Sequence, residues 1–395
     1  MQNYINMKTE YIERSITNAV KEAINYFPVI IITGPRQSGK TTLIKHLFKG
    51  LTYHSLENPD IRNFATNDPV AFLNQDANGL ILDEVQNVPH LLSYIQGIVD
   101  EDSSKRFILS GSSQFSMLNS ITQSLSGRSA VFELLPLSYF EVETAATGKS
   151  LDELLFDGFY PAIYAGKNTS AYLYTNYVKT YIERDVRDLL QIKDIMQFHT
   201  FLRLCAGRAG NLFVASELSC EVGVSANTIK SWLSVLQTSY VVTILPPYFE
   251  NMTKRLTKTP KLYFMDTGLA CYLLGIGTPR QLSRDRKRGD LFENFIVSEA
   301  LKHRYNKGKE SNLFFYRDSN HNEVDIMLKY GYNFDAIEIK SAQTYNSDFE
   351  KGLKVVGKTF PDRITNKIIV YAGSYENTAG ETKLINYKNL NTILR

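Results

Sequence analysis

The chain has 395 residues, 43% of them hydrophobic and 22% charged, with a formal net charge of +3. That length allows two or three domains with a core each. The small net charge means that any basic surface must come from local clustering. Three cysteines with no C-x-x-C pair exclude a disulfide framework and a thiolate zinc site, and fit a reducing compartment. No apolar run approaches membrane-spanning length and the N-terminus lacks a signal-peptide core, so the expectation is a cytoplasmic protein with no membrane partner.

In chain order, Ile12, Ile16, Ala19, Val20, Ala23 and Ile24 are spaced as an amphipathic helix that Pro28 ends. The apolar run Ile30-Ile31-Ile32 then empties into Thr33-Gly34-Pro35-Arg36-Gln37-Ser38-Gly39-Lys40-Thr41-Thr42, which satisfies GxxxxGK[ST]. Leu43, Ile44, Leu47 and Phe48 follow at helical spacing. Strand, loop and helix in that order are the context a phosphate-binding loop requires. The glycines allow backbone N–H groups to turn inward, and the helix N-terminus adds partial positive charge. Gly34 to Thr42 would cradle the phosphates of ATP. Lys40 would reach the β- and γ-phosphates, and the Thr41 hydroxyl would ligate Mg²⁺.

Leu51–Leu56 reads as a second strand, broken by Asn58-Pro59-Asp60. Gly79-Leu80-Ile81-Leu82-Asp83-Glu84 is an apolar run ending in two carboxylates. Downstream of a phosphate loop, Asp83 would hold Mg²⁺ and Glu84 would polarise the attacking water. Arg106–Ser113 is a further buried strand with a polar tip, where Ser112 or Ser113 could sense the γ-phosphate. Leu125-Ser126-Gly127-Arg128 precedes a last strand, Val131–Leu134, and Arg128 could neutralise transition-state charge in cis or across a subunit contact.

The phrases GPRQSGKTTL, LILDEVQ, ILSGSSQF, LSGR and LPLSYFE together resemble the prokaryotic AAA-type ATPases of the additional-strand P-loop class. The resemblance extends over nearly the whole chain. It implies an α/β domain with a parallel sheet over residues 1–165, and a C-terminal half opening at YIERDVRDL.

Leu173, Tyr177, Val178, Tyr181, Ile182, Val186 and Leu189 make a long apolar helix stripe, a packing feature. Ser216 to Leu236 reads as helix–turn–helix, with Ser216 and Ser225 as N-caps and Gly223 at the turn. Strands at Tyr240–Leu245 and Leu262–Phe264 would complete a winged helix within residues 166–280. Lys254, Arg255, Lys258 and Lys261 would lie on its wing, facing DNA phosphate. Against that reading, the second helix exposes only one charge among Asn227, Thr228, Lys230 and Ser231. AAA-type ATPases also use such modules as plain lids.

Arg280, Arg284, Arg286, Lys287 and Arg288 crowd a linker before the last domain, residues 285–395. A helix there carries Glu293, and strands run at Leu313–Tyr316, Glu323–Leu328 and Asp335–Lys340. By period-two geometry Glu338 and Lys340 share one face. Asp325 and Glu338 would hold Mg²⁺, Lys340 would orient water, and Glu293 could complete the site. This pattern resembles the restriction-endonuclease-like PD-(D/E)xK core, although Val324 stands before Asp325 where the motif has proline. The expectation is a Mg²⁺-dependent ATPase coupled to a DNA transaction, with nuclease activity open. The alternative is a nucleotide-gated switch whose last domain binds a protein partner without chemistry. Either form could be oligomeric.

Overall fold

Every side chain of Val29–Thr33 (β1) is buried, and a strand with no polar face belongs inside a sheet covered on both sides. The computed structural model, which describes residues 11–111, 124–166, 168–182, 195–248 and 258–394, places β1 there. It pairs in parallel with Arg106–Gly111 (β4) and with Ser129–Glu133 (β5). Thr52–Ser55 (β2) pairs in parallel with Gly79–Asp83 (β3), and β3 with β4. The order β2-β3-β4-β1-β5 sets one strand between the loop-bearing β1 and the Asp83-bearing β3. The expected α/β fold with a parallel sheet is present.

Alternation along these strands decides which helices cover which face. Ile30, Ile32, Ile81 and Ile108 pack with Ile16, which precedes Thr17–Ala23 (α1), with Val20 of α1, and with Leu43 and Ile44 of Lys40–Leu47 (α2). Their neighbours Val29, Ile31, Leu80, Leu82, Phe107 and Leu109 point the other way. That face packs on Pro59–Asn67 (α3), Pro69–Leu73 (α4) and Leu91–Glu101 (α5). The first helix begins at Thr17 rather than Ile12, although Ile16 is fully buried as its spacing required. This sheet belongs to the first of two compact units, residues 1–148 with 159–173 and 306–308.

The apolar stripe after it forms a helix at Ser170–Tyr177 that widens to a π-helical turn over Val178–Ile182. Leu173, Tyr177, Val178 and Ile182 are buried; Val186 and Leu189 lie outside the described residues.

The second unit takes residues 149–158, 174–305 and 309–395. Helices at Ala215–Val222 and Ala226–Thr238 meet at Gly223, whose φ of 79° is left-handed. Ser225 caps the second helix by accepting from Thr228 N at 3.1 Å. Ser216 does not cap the first: the cap position is Val214, without a side-chain bond. Val242–Leu245 (β6) then pairs antiparallel with Lys261–Phe264 (β7). Tyr240 stays out of β6 because its φ is +56°.

The other edge of β7 is held in two ways. Gly210 N donates to Leu262 O at 2.8 Å and Leu262 N to Asn211 O at 2.9 Å, and beyond them Asn294 accepts from Phe264 N and donates to Phe264 O, both at 2.7 Å. It projects from the Arg288–Asn306 helix, which buries Leu291, Phe292, Phe295, Ile296 and Leu301. The last sheet runs β12-β13-β11-β10-β9-β8, with β8 Leu313–Arg317, β9 Glu323–Tyr330, β10 Asn333–Lys340, β11 Ile364–Tyr371, β12 Asn377–Ala379 and β13 Thr382–Asn386. β8, β9 and β10 are antiparallel neighbours, whereas β10, β11 and β13 are parallel. The three expected strands are there, and three more follow them.

Asn294→Ala would leave a buried N–H and C=O of Phe264 unpaired. Because an unsatisfied buried backbone group costs about 1–3 kcal/mol, the unfolding free energy should fall by roughly 2–4 kcal/mol, read from the urea midpoint. An unchanged midpoint would show that water or a shifted strand replaces the amide.

Candidate functional site

The phosphate loop sits where β1 gives way to α2. Gly34 takes φ +145°, and a Cβ there would lie 2.2 Å from Leu134 O, so only glycine lets the loop leave beside β5. Lys40 is 6% exposed, and its Nζ donates to Gly34 O and Pro35 O, each at 2.9 Å. The ammonium therefore folds back over the loop. The Ser38 hydroxyl is buried in the same loop with no hydrogen-bond partner.

Asp83 ends β3 at the same sheet edge and gathers three hydroxyls. Thr41 Oγ1 donates to its Oδ2 at 2.7 Å and Tyr53 OH to the same oxygen at 2.8 Å. Ser110, from β4, donates to Oδ1. Burial, together with the bond to Asp83, raises the Tyr53 pKa well above its ordinary value, which keeps it a donor. Glu84 follows with a left-handed φ of 57°, a conformation rare outside glycine. Its Oε2 accepts from Gln86 Nε2. The head of α2 and the end of β3 thus bring Thr41, Asp83 and Glu84 to one edge of the sheet.

Two expected members stand elsewhere. Ser112 and Ser113 lie outside the described residues. Arg128 is not at the loop edge: its carbonyl accepts from Val29 N, at the opposite end of β1. Its guanidinium pairs with Asp100, the Nη2–Oδ2 distance being 2.9 Å. Sequence reasoning placed the polar tip of β4 at Ser112 and Ser113, whereas Ser110 is the residue that meets Asp83. Tyr53 carried no signal, since a tyrosine in a short strand reads as packing.

The second constellation lies between β7, β9 and β10. Lys261 was expected on an exposed wing; it is instead 2% exposed and surrounded by carboxylates. Its Nζ lies 2.8 Å from Glu293 Oε1, 2.5 Å from Glu323 Oε1 and 3.7 Å from Asp325 Oδ1. The physical reason is register: β7 begins at Lys261, and Asn294 pins Phe264 against the helix that bears Glu293. Tyr263 OH donates to the same Glu293 oxygen at 2.6 Å. Asp325 Oδ2 accepts from Ile339 N at 2.8 Å, and Lys340 Nζ pairs with Glu338 Oε1 at 2.6 Å. Glu338 Oε2 is buried without a partner.

Charge balance in this cluster is tight. Burial and the nearby Asp325 push Glu293 up to about 7 and Glu338 up to about 8. Burial alone would lower Lys261, yet Glu293, Asp325 and Glu323 hold it well above its ordinary value. Among the described residues no three His, Cys, Asp or Glu side chains gather as a metal site. The cation standing among Glu293, Glu323 and Asp325 is the Lys261 ammonium. Glu293, Asp325 and Glu338, the set expected to hold Mg²⁺, thus stand in one cluster with Lys261 on Glu293 and Asp325 and Lys340 on Glu338.

Residues 26–143 match an AAA domain, 148–280 a domain of unknown function (DUF8612), and 288–390 a domain of unknown function (DUF4143). An uncharacterized protein of Mycobacterium tuberculosis is 30% identical over 340 residues, spanning 84% of this chain and 74% of that protein. An uncharacterized protein of Methanocaldococcus jannaschii is 24% identical over 382 residues, spanning 86% and 81%. Among solved structures, a Walker-type ATPase of Pyrococcus abyssi covers 67% of this chain and 97% of that one at 12% identity, with a TM-score of 0.43. The mycobacterial likeness and the matched domain agree with the loop and strand order found here: the chain belongs to the family of that mycobacterial protein, and its first unit carries a P-loop AAA-type ATPase domain.

Proposed function

We propose that this chain hydrolyses ATP with Mg²⁺ and uses its nucleotide state to govern a partner bound by its C-terminal half. The observation that carries the first part is the Thr41–Asp83 hydrogen bond at the mouth of the phosphate loop. A hydroxyl and a carboxylate held together at a loop rich in N–H donors form the hard-oxygen pair that Mg²⁺ takes beside phosphate. Thr41 and Asp83 would hold the ion, which would supply charge neutralisation on the phosphates. Gly34, Pro35, Arg36, Gln37, Ser38, Gly39 and Thr42 would present the backbone around them. Lys40 would exchange the loop carbonyls for the terminal phosphates. Glu84, set apart from the hydroxyl cluster by its backbone turn, would take the proton from the attacking water. Arg128 has no role at the phosphates of its own chain and would act only across a subunit contact.

For the C-terminal half, cleavage of DNA and partner binding without chemistry are both consistent with a nuclease-like sheet beside a winged-helix-like ribbon. The position of Lys261 favours the second. An ammonium already offsets part of the charge of the acidic cluster, and the same lysine is withdrawn from any phosphate-facing wing. Lys254 and Arg255 lie outside the described residues. No described helix is long and apolar enough to cross a membrane.

Three measurements check these assignments. Lys40→Ala should abolish ATP binding with the circular dichroism spectrum unchanged; wild-type turnover in that variant would remove the loop from the mechanism. Glu84→Gln should still bind ATP while hydrolysis drops by the ~10²–10⁴ that loss of a general base costs. Normal turnover there would place the base elsewhere. For the acidic cluster, Mn²⁺ is titrated calorimetrically into full-length Asp83→Asn protein, so that the ATP site is silent. The scaffold reading expects no saturable binding until Lys261→Met is added; saturable binding with Lys261 in place, lost on Asp325→Asn, would restore the cleavage reading.

A further inference from the structure

Arg14 precedes α1 by three residues and no motif includes it, yet it is 4% exposed and fully engaged. Its Nη1 donates to Ser38 O at 2.8 Å, its Nη2 to Leu135 O at 2.7 Å and its Nε to Glu141 Oε1 at 3.2 Å. Glu141 is itself fixed, because Oε1 also accepts from Ser15 N at 2.7 Å and Oε2 from Ser138 N at 2.8 Å. A guanidinium presents its donors in a rigid planar fork, so three acceptors at these distances fix its position and orientation together.

The bond to Ser38 O bears on phosphate binding through peptide geometry. In a planar trans peptide the C=O of one residue and the N–H of the next point in opposite directions. Holding Ser38 O towards Arg14 turns the Gly39 N–H away from Arg14, into the concavity of the loop. That N–H stands at the head of α2, where a phosphate loop concentrates its donors. The guanidinium also backs directly on the turn: a Cβ at Gly39 would lie 3.6 Å from Arg14 Nη1. Nothing else among the described hydrogen bonds to Ser38 O comes from a charged group.

We propose that Arg14 is a positioning residue for nucleotide binding, holding the Ser38–Gly39 peptide in its anion-receiving orientation before ATP arrives. The proposal rests on the reading of this loop as the phosphate site of ATP. A loop fixed in advance loses less conformational freedom on binding, so the arginine acts on affinity rather than on the reacting atoms. Lysine cannot replace it, because one ammonium does not span a loop carbonyl, a second carbonyl and a carboxylate in one plane.

The test compares the full-length wild type with Arg14→Lys and Arg14→Met, reading ATP and ADP affinity, KM and kcat, and the melting temperature without nucleotide. Lys40→Ala serves as the non-binding reference. Expected is a 10- to 100-fold weakening for both nucleotides, with KM rising by more than kcat falls, and with Lys only partly better than Met. A merely structural arginine would lower the melting temperature and the active fraction and leave the affinity of the folded protein unchanged; that result overturns the proposal. Should Arg14→Met fail to fold, Glu141→Gln, which removes the charge that anchors the fork, must weaken ATP binding by at least threefold or the proposal fails. Wild-type protein that binds no nucleotide would sink the site reading and this proposal together, whereas normal wild-type binding with unaltered Arg14 variants sinks this proposal alone.

Discussion

The first unit depends on one carboxylate. Asp83 lies 5% exposed at the end of a buried strand, where an ionised group without partners would cost several kcal/mol. The sheet meets that cost by bringing a hydroxyl from each of three other elements: Thr41 from α2, Tyr53 from β2 and Ser110 from β4. The bonds also fix the strand order chemically. β4 must stand beside β3 for Ser110 to reach Oδ1, and α2 must start at the loop for Thr41 to reach Oδ2. Fold and site are therefore the same constraint seen from two sides.

The second unit meets an analogous problem with a different partner. Glu293, Glu323, Asp325 and Glu338 converge near one another, and like charges at such range cannot all ionise. Glu293 and Glu338 are driven upward in pKa, and Lys261 of β7 enters among Glu293, Glu323 and Asp325. Removing one member of a buried ionic set is far costlier than the set is stabilising. The lysine thereby ties the ribbon to the helix and to β9, with Asn294 holding the same strand by its backbone.

Legibility in the sequence followed the range of the interaction. The parallel sheet and the loop after its first strand were readable because apolar runs and motif spacing are local, and the chain order of strands is a strong guide to their placement. Ser225 as a cap was readable for the same reason. Tyr53, Ser110, Arg14 and Lys261 were not: each finds its partner between 24 and 127 residues away, and each residue type has an ordinary use at its position. Lys261 shows the difficulty most clearly, since a lysine in a basic, turn-rich stretch reads as solvated until β7 is placed. Ser216 shows the converse, a local cap signal displaced two residues by the start of the helix at Ala215.

The two clusters differ in what they leave open. Hydroxyls around Asp83 are neutral, so they satisfy the carboxylate without cancelling its charge, and a divalent ion can still gain from it. An ammonium among Glu293, Glu323 and Asp325 offsets one of their charges, and any metal beside them would have to displace a side chain anchored on a paired strand. A carboxylate satisfied by neutral donors alone has no cation of the chain among its partners. The acidic set around Lys261 is instead held by a cation that belongs to the chain itself.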